Sequence, residues 1–473
     1  MRLPFAFTLL LAAFLLLAAI VHPTSAALRR IGRRADGDIE EYEKWLRREV
    51  KKRRGTPPSS LQLSYFEGMG LGVRAVEDVQ KGEELVRMPL SLVFCRETIQ
   101  AMPTPFGRYI ARPDNQGVSD TQKMALALLY EDYRQDGSLW EPYLHLLPSQ
   151  LDSTVFFSEE ELDELDGLVI AGESRSEKKR MEEQVEYVKK RMLQWEMKDE
   201  RFAMNAMTIA EFANELNVED YTLATYLIHS RAWTMKRDKY LLPFSDFLNH
   251  DKADFEETSE SFLLYHSVED GFAVMKAEKA YAKGMQVFES YGSNPNHIYL
   301  RYHGFLPADN DATCAQFVLS PQRAMRKAKK RDVRMVMDRL FSEAQMEYTV
   351  SACVRRSDFE EEPSGRRRVH SQKMMTFFRI MSLSESGARE VKRGRINPRK
   401  PGTATQEAAA WSKMAEYIEE RLNGVTKRNS GDEALLEKGM LTGRKELAVK
   451  YRVAEVREME DMLAYAKEKA KLN

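Results

Sequence analysis

Leu241-Leu242-Pro243-Phe244-Ser245-Asp246-Phe247-Leu248-Asn249-His250 is followed by Gly271-Phe272-Ala273-Val274-Met275. After it come Val287-Phe288-Glu289-Ser290-Tyr291-Gly292 and Tyr302-His303-Gly304-Phe305. The apolar runs are strand-like, and three polar groups able both to give and to accept hydrogen bonds, Asn249, His250 and Tyr291, stand at their ends. Buried there, such groups need partners, in the protein or on a ligand. For any one of them a satisfied place in a polar core is the simpler explanation. Their recurrence within one stretch is what singles it out.

The chain around this stretch has 473 residues, enough for two or three domains. Its 43% hydrophobic content fills real cores, and its 31% charged content keeps the surface soluble. A formal net charge of -1 gives no global electrostatic case for nucleic acid or for an acidic membrane surface. Cys95, Cys314 and Cys353 lie far apart with no C-x-x-C pair, which excludes a cysteine-rich zinc site and predicts no disulfide framework. The histidines His229, His250, His266, His297 and His303 lack tight metal-ligand spacing, so no metal is expected.

Residues 1–26 read as a secretory signal peptide: Arg2 is the positive start, Phe5 to Val21 the apolar run, and Thr24-Ser25-Ala26 the small residues for cleavage. The run is near the lower length for spanning a membrane; cleavage is favoured over an uncleaved anchor. Ala27 to Arg34 is arginine-rich and free of acids until Asp36, like a short transit peptide, and an ordinary basic segment fits equally well. Signal plus transit is the layout for entering plastids with extra membranes. The expectation is entry into the secretory pathway, no stable membrane association after cleavage, and a final site in a complex plastid or the endomembrane lumen.

Residues 27–60 read as a basic linker with a short amphipathic helix over Ile39 to Val50. Tyr65 to Ala75 contains three alternate glycines, Gly68, Gly70 and Gly72. No adequate helix follows, which argues against a dinucleotide fingerprint, and Glu84 to Pro89 reads as a strand. A strand, a glycine turn and a second strand let a ligand approach bare backbone. Residues 95–230 read as mostly helical, with an apolar helix at Met124 to Tyr133 and a capping box from Ser158 to Glu161. Met181, Val185, Val188, Met192 and Trp195 form one packing stripe. A helix over Tyr221 to Trp233 ends in Ser230-Arg231-Ala232-Trp233. Beyond Pro307 a helical region is expected, with loops at Pro363 to Arg368 and Arg393 to Thr405. Its last helix carries an apolar face of Val449, Val453, Val456, Met459 and Leu463.

The Pro-x-x-Asp-x-x-Asn-His run, Tyr291-Gly292 and Gly304-Phe305 resemble the SET domain of protein methyltransferases. The branch that holds the Rubisco large-subunit lysine methyltransferase and the actin-histidine methyltransferase is the most similar. Trp140 to Pro148 is similar to that branch's Trp-x-x-Tyr-x-x-x-Leu-Pro run, and Glu433-Ala434-Leu435-Leu436 with the helix after it resembles its C-terminal domain. The resemblance covers roughly residues 61–465. It implies an α+β fold: a SET domain of small sheets over 61–310 with a helical insertion about 95–230, then an all-α substrate-binding domain over 311–473.

For the site, the resemblance implies S-adenosylmethionine as cofactor, bound by Glu67, Gly68, Met69, Arg231, Asp246, Asn249, His250, His303, Gly304 and Phe305. Tyr291 becomes the catalytic residue at the end of a substrate channel shaped with Trp233. Two departures stand out. His303 replaces the tyrosine of the family's Tyr-Gly-Phe, as the histidine-methylating branch also lacks one there. Trp233 stands where that branch has asparagine, and an aromatic suits an aliphatic lysine chain. The implied activity is methylation of a lysine on a non-histone protein by a monomeric enzyme. The alternatives are histidine methylation, a non-catalytic SET-type binding module, and a membrane-anchored scaffold resting only on the N-terminal apolar run.

Overall fold

Leu61, Leu63, Val73 and Ala75 are buried at alternate positions of two neighbouring extended runs, the pattern of a hairpin with one face on a core. A computed structural model describes residues 31–32, 38–112, 118–134, 137–194, 207–235, 237–253, 259–346, 348–360, 365–425 and 431–471. The proposed signal segment and Trp195 lie outside the described residues. Two compact units result: residues 1–151 with 180–292, and residues 152–179 with 293–473.

In the first unit the strands are β1 (Leu61–Phe66), β2 (Gly70–Ala75), β3 (Glu84–Pro89), β4 (Trp233–Met235), β5 (Asp238–Tyr240), β6 (Asn249–His250), β7 (His266–Glu269), β8 (Phe272–Lys276) and β9 (Gln286–Glu289). They build small sheets in the orders β1-β2-β9-β6, β3-β8-β7 and β4-β5. Among the described residues only β6 and β9 pair in parallel, Asn249 opposite Phe288 and His250 opposite Glu289. That pairing carries the two polar residues at the end of the Leu241 run to the strand leading into Tyr291. Glu67, Gly68 and Met69 form the exposed tip of the β1–β2 hairpin. Gly68 and Gly70 have φ of +73° and +76°, a conformation that favours glycine.

Helices fill the first unit between Arg96 and Arg231, among them Asp120–Tyr133, Glu141–Leu146 and Val218–Arg231. Ser119 and Gln122 close a capping box on the first of these. The helix expected to reach Trp233 stops at Arg231, because Ala232 turns extended and Trp233 pairs with Tyr240 in the β4–β5 ribbon. The N-terminal helix, Asp38–Lys52, buries Tyr42, Trp45, Leu46 and Val50.

The second unit is a helical layer against a two-stranded ribbon, β10 (Ala315–Leu319) and β11 (Val350–Val354). Its core joins Phe317, Phe341, Phe378, Met414, Ile418 and Met462 from the ribbon and the long helices. The Ser158–Glu161 capping box forms as expected. Residues 365–368, expected as loop, begin the helix Gly365–Met381 that brings Met374 and Phe378 to the core. On the last helix, Gly443–Ala470, Val449 and Met459 are buried as expected, but Val453, Val456 and Leu463 are only half-buried. Val456 and Leu463 still pack against the core, and Arg452 and Glu455 are buried on the same helix. Arg452 pairs with Asp432 and Glu164, and Glu455 accepts from the Tyr451 hydroxyl at 3.1 Å and from the Gln316 amide. No disulfide framework is expected from the sequence, and one disulfide is present: antiparallel pairing of β10 and β11 brings Cys314 and Cys353 to a Cα–Cα distance of 5.5 Å, and they are bonded. Among the described residues no helix is long and apolar enough to cross a membrane.

Candidate active site

Phe244, a bulky residue, has φ of +121°, a strained conformation that its surroundings must hold. Asp246 does so. Its Oδ1 accepts the Phe244 amide at 3.1 Å, and its Oδ2 accepts the Tyr143 hydroxyl at 2.8 Å and lies 3.8 Å from Arg231 Nη1. Arg231 Nη1 also donates to the Asp246 carbonyl at 2.5 Å. The run after Pro243 is therefore fastened to the Glu141–Leu146 helix and to the C-terminal end of the Val218–Arg231 helix. From this anchored turn the chain delivers the Leu248 carbonyl, Asn249 and His250.

The Leu248 carbonyl and His250 fix Tyr291. Its hydroxyl donates to the Leu248 carbonyl at 2.6 Å, and its backbone amide donates to His250 Nδ1 at 3.1 Å. The two rings lie 5.2 Å apart. Burial pulls the His250 pKa below its ordinary value, so the ring stays neutral and keeps an accepting nitrogen for that amide. Asn249 Nδ2 donates to the Leu71 carbonyl at 3.4 Å. Gly72 permits this approach, since a Cβ there would come within 2.7 Å of Asn249 Nδ2.

The Asp246 carboxyl is pushed up to about 6 by burial, against the pull of Arg231 and Tyr143. An acid whose folded pKa is raised stabilises the fold fully below its unfolded value, and that stability is lost as pH rises through the folded value. Between about pH 4 and pH 6 the Asp246 contribution is expected to fall by roughly 3 kcal/mol. Asp246→Asn removes the ionisation. The difference between the two unfolding free energies, measured by urea titration across that range, should change by about this amount; parallel curves would refute it.

Trp233 is buried, 4.6 Å from the His266 ring and 6.5 Å from Phe262. Burial opposes charge on His266, but the Glu289 carboxylate at 3.0 Å carries its pKa above the ordinary value. A buried His266–Glu289 pair thus braces β9 just before Tyr291. Sequence reading missed it, as it missed Tyr143, whose one signal is a phenol inside the apolar run Trp140 to Pro148.

The first unit thus brings Tyr291, Asn249, His250, Asp246 and Arg231 together, and joins Asn249 to the hairpin whose tip is Glu67 to Met69. Asp246 faces inward and acts as a positioning group. Arg231 Nε, Ser245 Oγ and Gln286 Nε2 are buried without a hydrogen-bond partner in the protein. Such donors are costly to leave unmet. Added Cβ atoms at Gly68 and Gly70 would meet nothing within 4 Å, so the hairpin backbone is open to a ligand.

His303, Gly304 and Phe305 belong to the second unit. Tyr299–His303 is one π-helical turn, a form frequent at functional sites. Gly304 closes it at φ +77°, with its amide on the Tyr299 carbonyl at 2.9 Å. A Cβ there would lie 2.7 Å from the Asp152 backbone, so this position requires glycine.

This architecture has solved counterparts. The crystal structure of the SET domain of LSMT bound to lysine and AdoHcy superposes with a TM-score of 0.71 at 17% identity, covering 91% of each chain. The fold is the LSMT SET-domain fold. Residues 336–457 match the Rubisco LSMT substrate-binding family. The chloroplastic fructose-bisphosphate aldolase-lysine N-methyltransferase of Arabidopsis thaliana is 25% identical over 94% of this chain and 85% of its own length. The chloroplastic Rubisco large-subunit N-methyltransferase of Pisum sativum is 28% identical over 45% of this chain, a match spanning 39% of that relative. An actin-histidine N-methyltransferase of Callithrix jacchus is 22% identical over 89% of this chain and 67% of its own. The expected α+β SET fold with a helical C-terminal region, and the similarity to the Rubisco and actin-histidine branch, are thereby borne out.

Proposed function

We propose that this protein is an S-adenosylmethionine-dependent protein-lysine N-methyltransferase acting on a non-histone protein. The Tyr291 hydroxyl, held by the Leu248 carbonyl at 2.6 Å beside Asn249 and His250, carries the reading. The aldolase-lysine N-methyltransferase relative and the lysine-bound LSMT structure support it.

The residues fit the cofactor. The buried, unpartnered Arg231 Nε suits a carboxylate, and the open glycine hairpin admits close backbone contact. Glu67, Gly68, Met69, Arg231, Asn249 and His250 would hold it; the part given to His303, Gly304 and Phe305 rests on the sequence pattern. S-adenosylmethionine supplies an electrophilic methyl group on a sulfonium. The chain's own task is to present a neutral amine. A free lysine has a pKa of about 10.4, so less than about one in a thousand is neutral at pH 7, and desolvation beside a positive charge lowers that pKa. With its proton on the Leu248 carbonyl, the Tyr291 oxygen acts as an acceptor for an amine N–H and fixes the direction of the nitrogen lone pair. Positioning of this kind is worth up to about 7–11 kcal/mol.

Replacing Arg231 with Met is expected to weaken S-adenosylmethionine binding about 10-fold or more, the loss of a hydrogen bond to a charged group. Isothermal titration calorimetry measures it, and unchanged affinity would remove Arg231 from the cofactor site.

The second unit's residues 311–473 select the protein substrate in this reading. The signal-plus-transit layout and the chloroplastic relatives support a plastid destination, with a plastid protein as substrate in this reading. A protein-histidine N-methyltransferase is the second reading, favoured by His303 at the family's tyrosine position. The deciding experiment incubates the purified chain with plastid lysate and methyl-labelled S-adenosylmethionine, followed by amino-acid analysis. Methyllysine is expected; methylhistidine would move the assignment to the second reading. Folded protein with neither label transfer nor a cofactor-dependent melting shift would leave a non-catalytic binding module.

A further inference from the structure

Cys314 directly precedes β10, and Cys353 is the penultimate residue of β11. The register pairs Ala315 with Val354, so the cysteines are diagonal neighbours across the ribbon. Ala315, Phe317, Ala352 and Val354 face the core, and alternation puts Cys314 and Cys353 on the other face. His297 stands there, on the short helix Asn296–Ile298 that leads into the Tyr299–His303 turn. Its Nδ1 lies 3.7 Å from Cys353 Sγ, and the three ligand atoms all fall within 4.8 Å of one another. His370 is adjacent, its Nδ1 3.3 Å from the Cys353 amide nitrogen and from the Cys353 carbonyl oxygen.

We propose that, when the Cys314–Cys353 disulfide is reduced, His297, Cys314 and Cys353 bind a thiophilic divalent cation, zinc above all. Zinc–sulfur and zinc–nitrogen bonds of about 2.3 and 2.0–2.1 Å at a tetrahedral angle put sulfur and nitrogen about 3.6 Å apart. The 3.7 Å separation of His297 Nδ1 and Cys353 Sγ already matches that edge. Two thiolates and one imidazole form a neutral zinc complex, the mixed set that suits this ion. A water would complete the fourth position. A disulfide with a histidine merely packed on it is the competing explanation, and zinc retention by the reduced chain separates the two.

The chemistry balances. A dithiol gives two electrons and two protons to the disulfide and leaves as a cyclic disulfide, producing the Cys314 and Cys353 thiols. Zinc binding then releases both thiol protons as two zinc–sulfur bonds and one zinc–nitrogen bond form. A disulfide oxidant reverses the sequence and expels the metal. The bound ion would tie the ribbon to the segment that continues into Tyr299–His303, through His297.

The test uses the full processed chain in two forms, oxidised and dithiothreitol-reduced, each dialysed anaerobically against zinc or cobalt(II). The reduced form is expected to retain one zinc per chain by atomic absorption and, with cobalt, to show a thiolate-to-cobalt charge-transfer band; the oxidised form should show neither. Cys314→Ser with Cys353→Ser should abolish both signals, and His297→Ala should weaken zinc affinity by about 10-fold or more, with circular dichroism checking the fold. A reduced wild-type chain that retains no zinc and shows no cobalt–thiolate band overturns the proposal. So does stoichiometric zinc that persists in the folded double-serine variant. If that variant does not fold, the contrast between reduced and oxidised wild type decides alone.

Discussion

Tyr291→Phe is expected to lower the methyl-transfer rate by ~10²-fold or more, the range for a positioned catalytic group. Cofactor affinity should change little. The substitution removes one oxygen and leaves the ring against His250, so the packing and the backbone bond to His250 Nδ1 persist. What disappears is the bond to the Leu248 carbonyl and, with it, the acceptor that orients the amine. Single-turnover assays with saturating S-adenosylmethionine measure the rate, and calorimetry the affinity. A fully active Phe variant would take Tyr291 out of the mechanism. An inactive variant that also loses cofactor would mean that Tyr291 serves the fold of the site.

Asp246→Ala is expected to destabilise the protein by about 3–5 kcal/mol, the cost of removing one partner from a buried ion pair. The Tyr143 hydroxyl and the Phe244 amide would lose their acceptor, and the Arg231 guanidinium its carboxylate. Phe244 would lose the bond that helps hold its φ of +121°. Since Leu248, Asn249 and His250 follow directly on this turn, activity should fall even where the chain remains folded. Urea unfolding monitored by tryptophan fluorescence gives the first quantity, and a methyltransferase assay well below the unfolding transition gives the second. A change under about 1 kcal/mol would show Asp246 to be the kind of surface-like position where substitutions are mild.

Both predictions rest on a turn whose residues are readable in the chain but whose joints are not. Pro243 to His250 and Tyr291-Gly292 mark the site because their residue types and spacing are unusual among apolar runs, and the helical content of residues 95–230 shows in its periodicity and caps. Tyr143 is different. A phenol in an apolar run gives no hint that its hydroxyl meets a carboxylate more than a hundred positions away, at Asp246. The buried His266–Glu289 pair is equally silent, since either residue alone reads as an ordinary polar position.

The last helix shows the same limit in the opposite direction. Periodicity of apolar residues places Val453, Val456 and Leu463 inward; they are only half-buried, Val456 and Leu463 against the core, whereas the charged Arg452 and Glu455 are buried. Hydrophobic patterning assumes that charge faces water, and here burial is compensated by Asp432, Glu164 and the Gln316 amide from other segments and by Tyr451 one turn back on the same helix. Cys314 and Cys353 carry it furthest: 39 residues apart, they become neighbours only through the register of β10 and β11.

The sequence by itself determined many of the elements, because local propensity, periodicity and turn residues act over a few positions, and its motifs resemble the SET domain closely enough to imply the class of fold and the stretch that holds the candidate chemistry. Tertiary structure alone decided which polar groups are satisfied, which acid is lifted towards neutrality and which cysteines and histidine share a face. Those are properties of contacts between segments distant in the chain, and of the desolvation that such contacts impose.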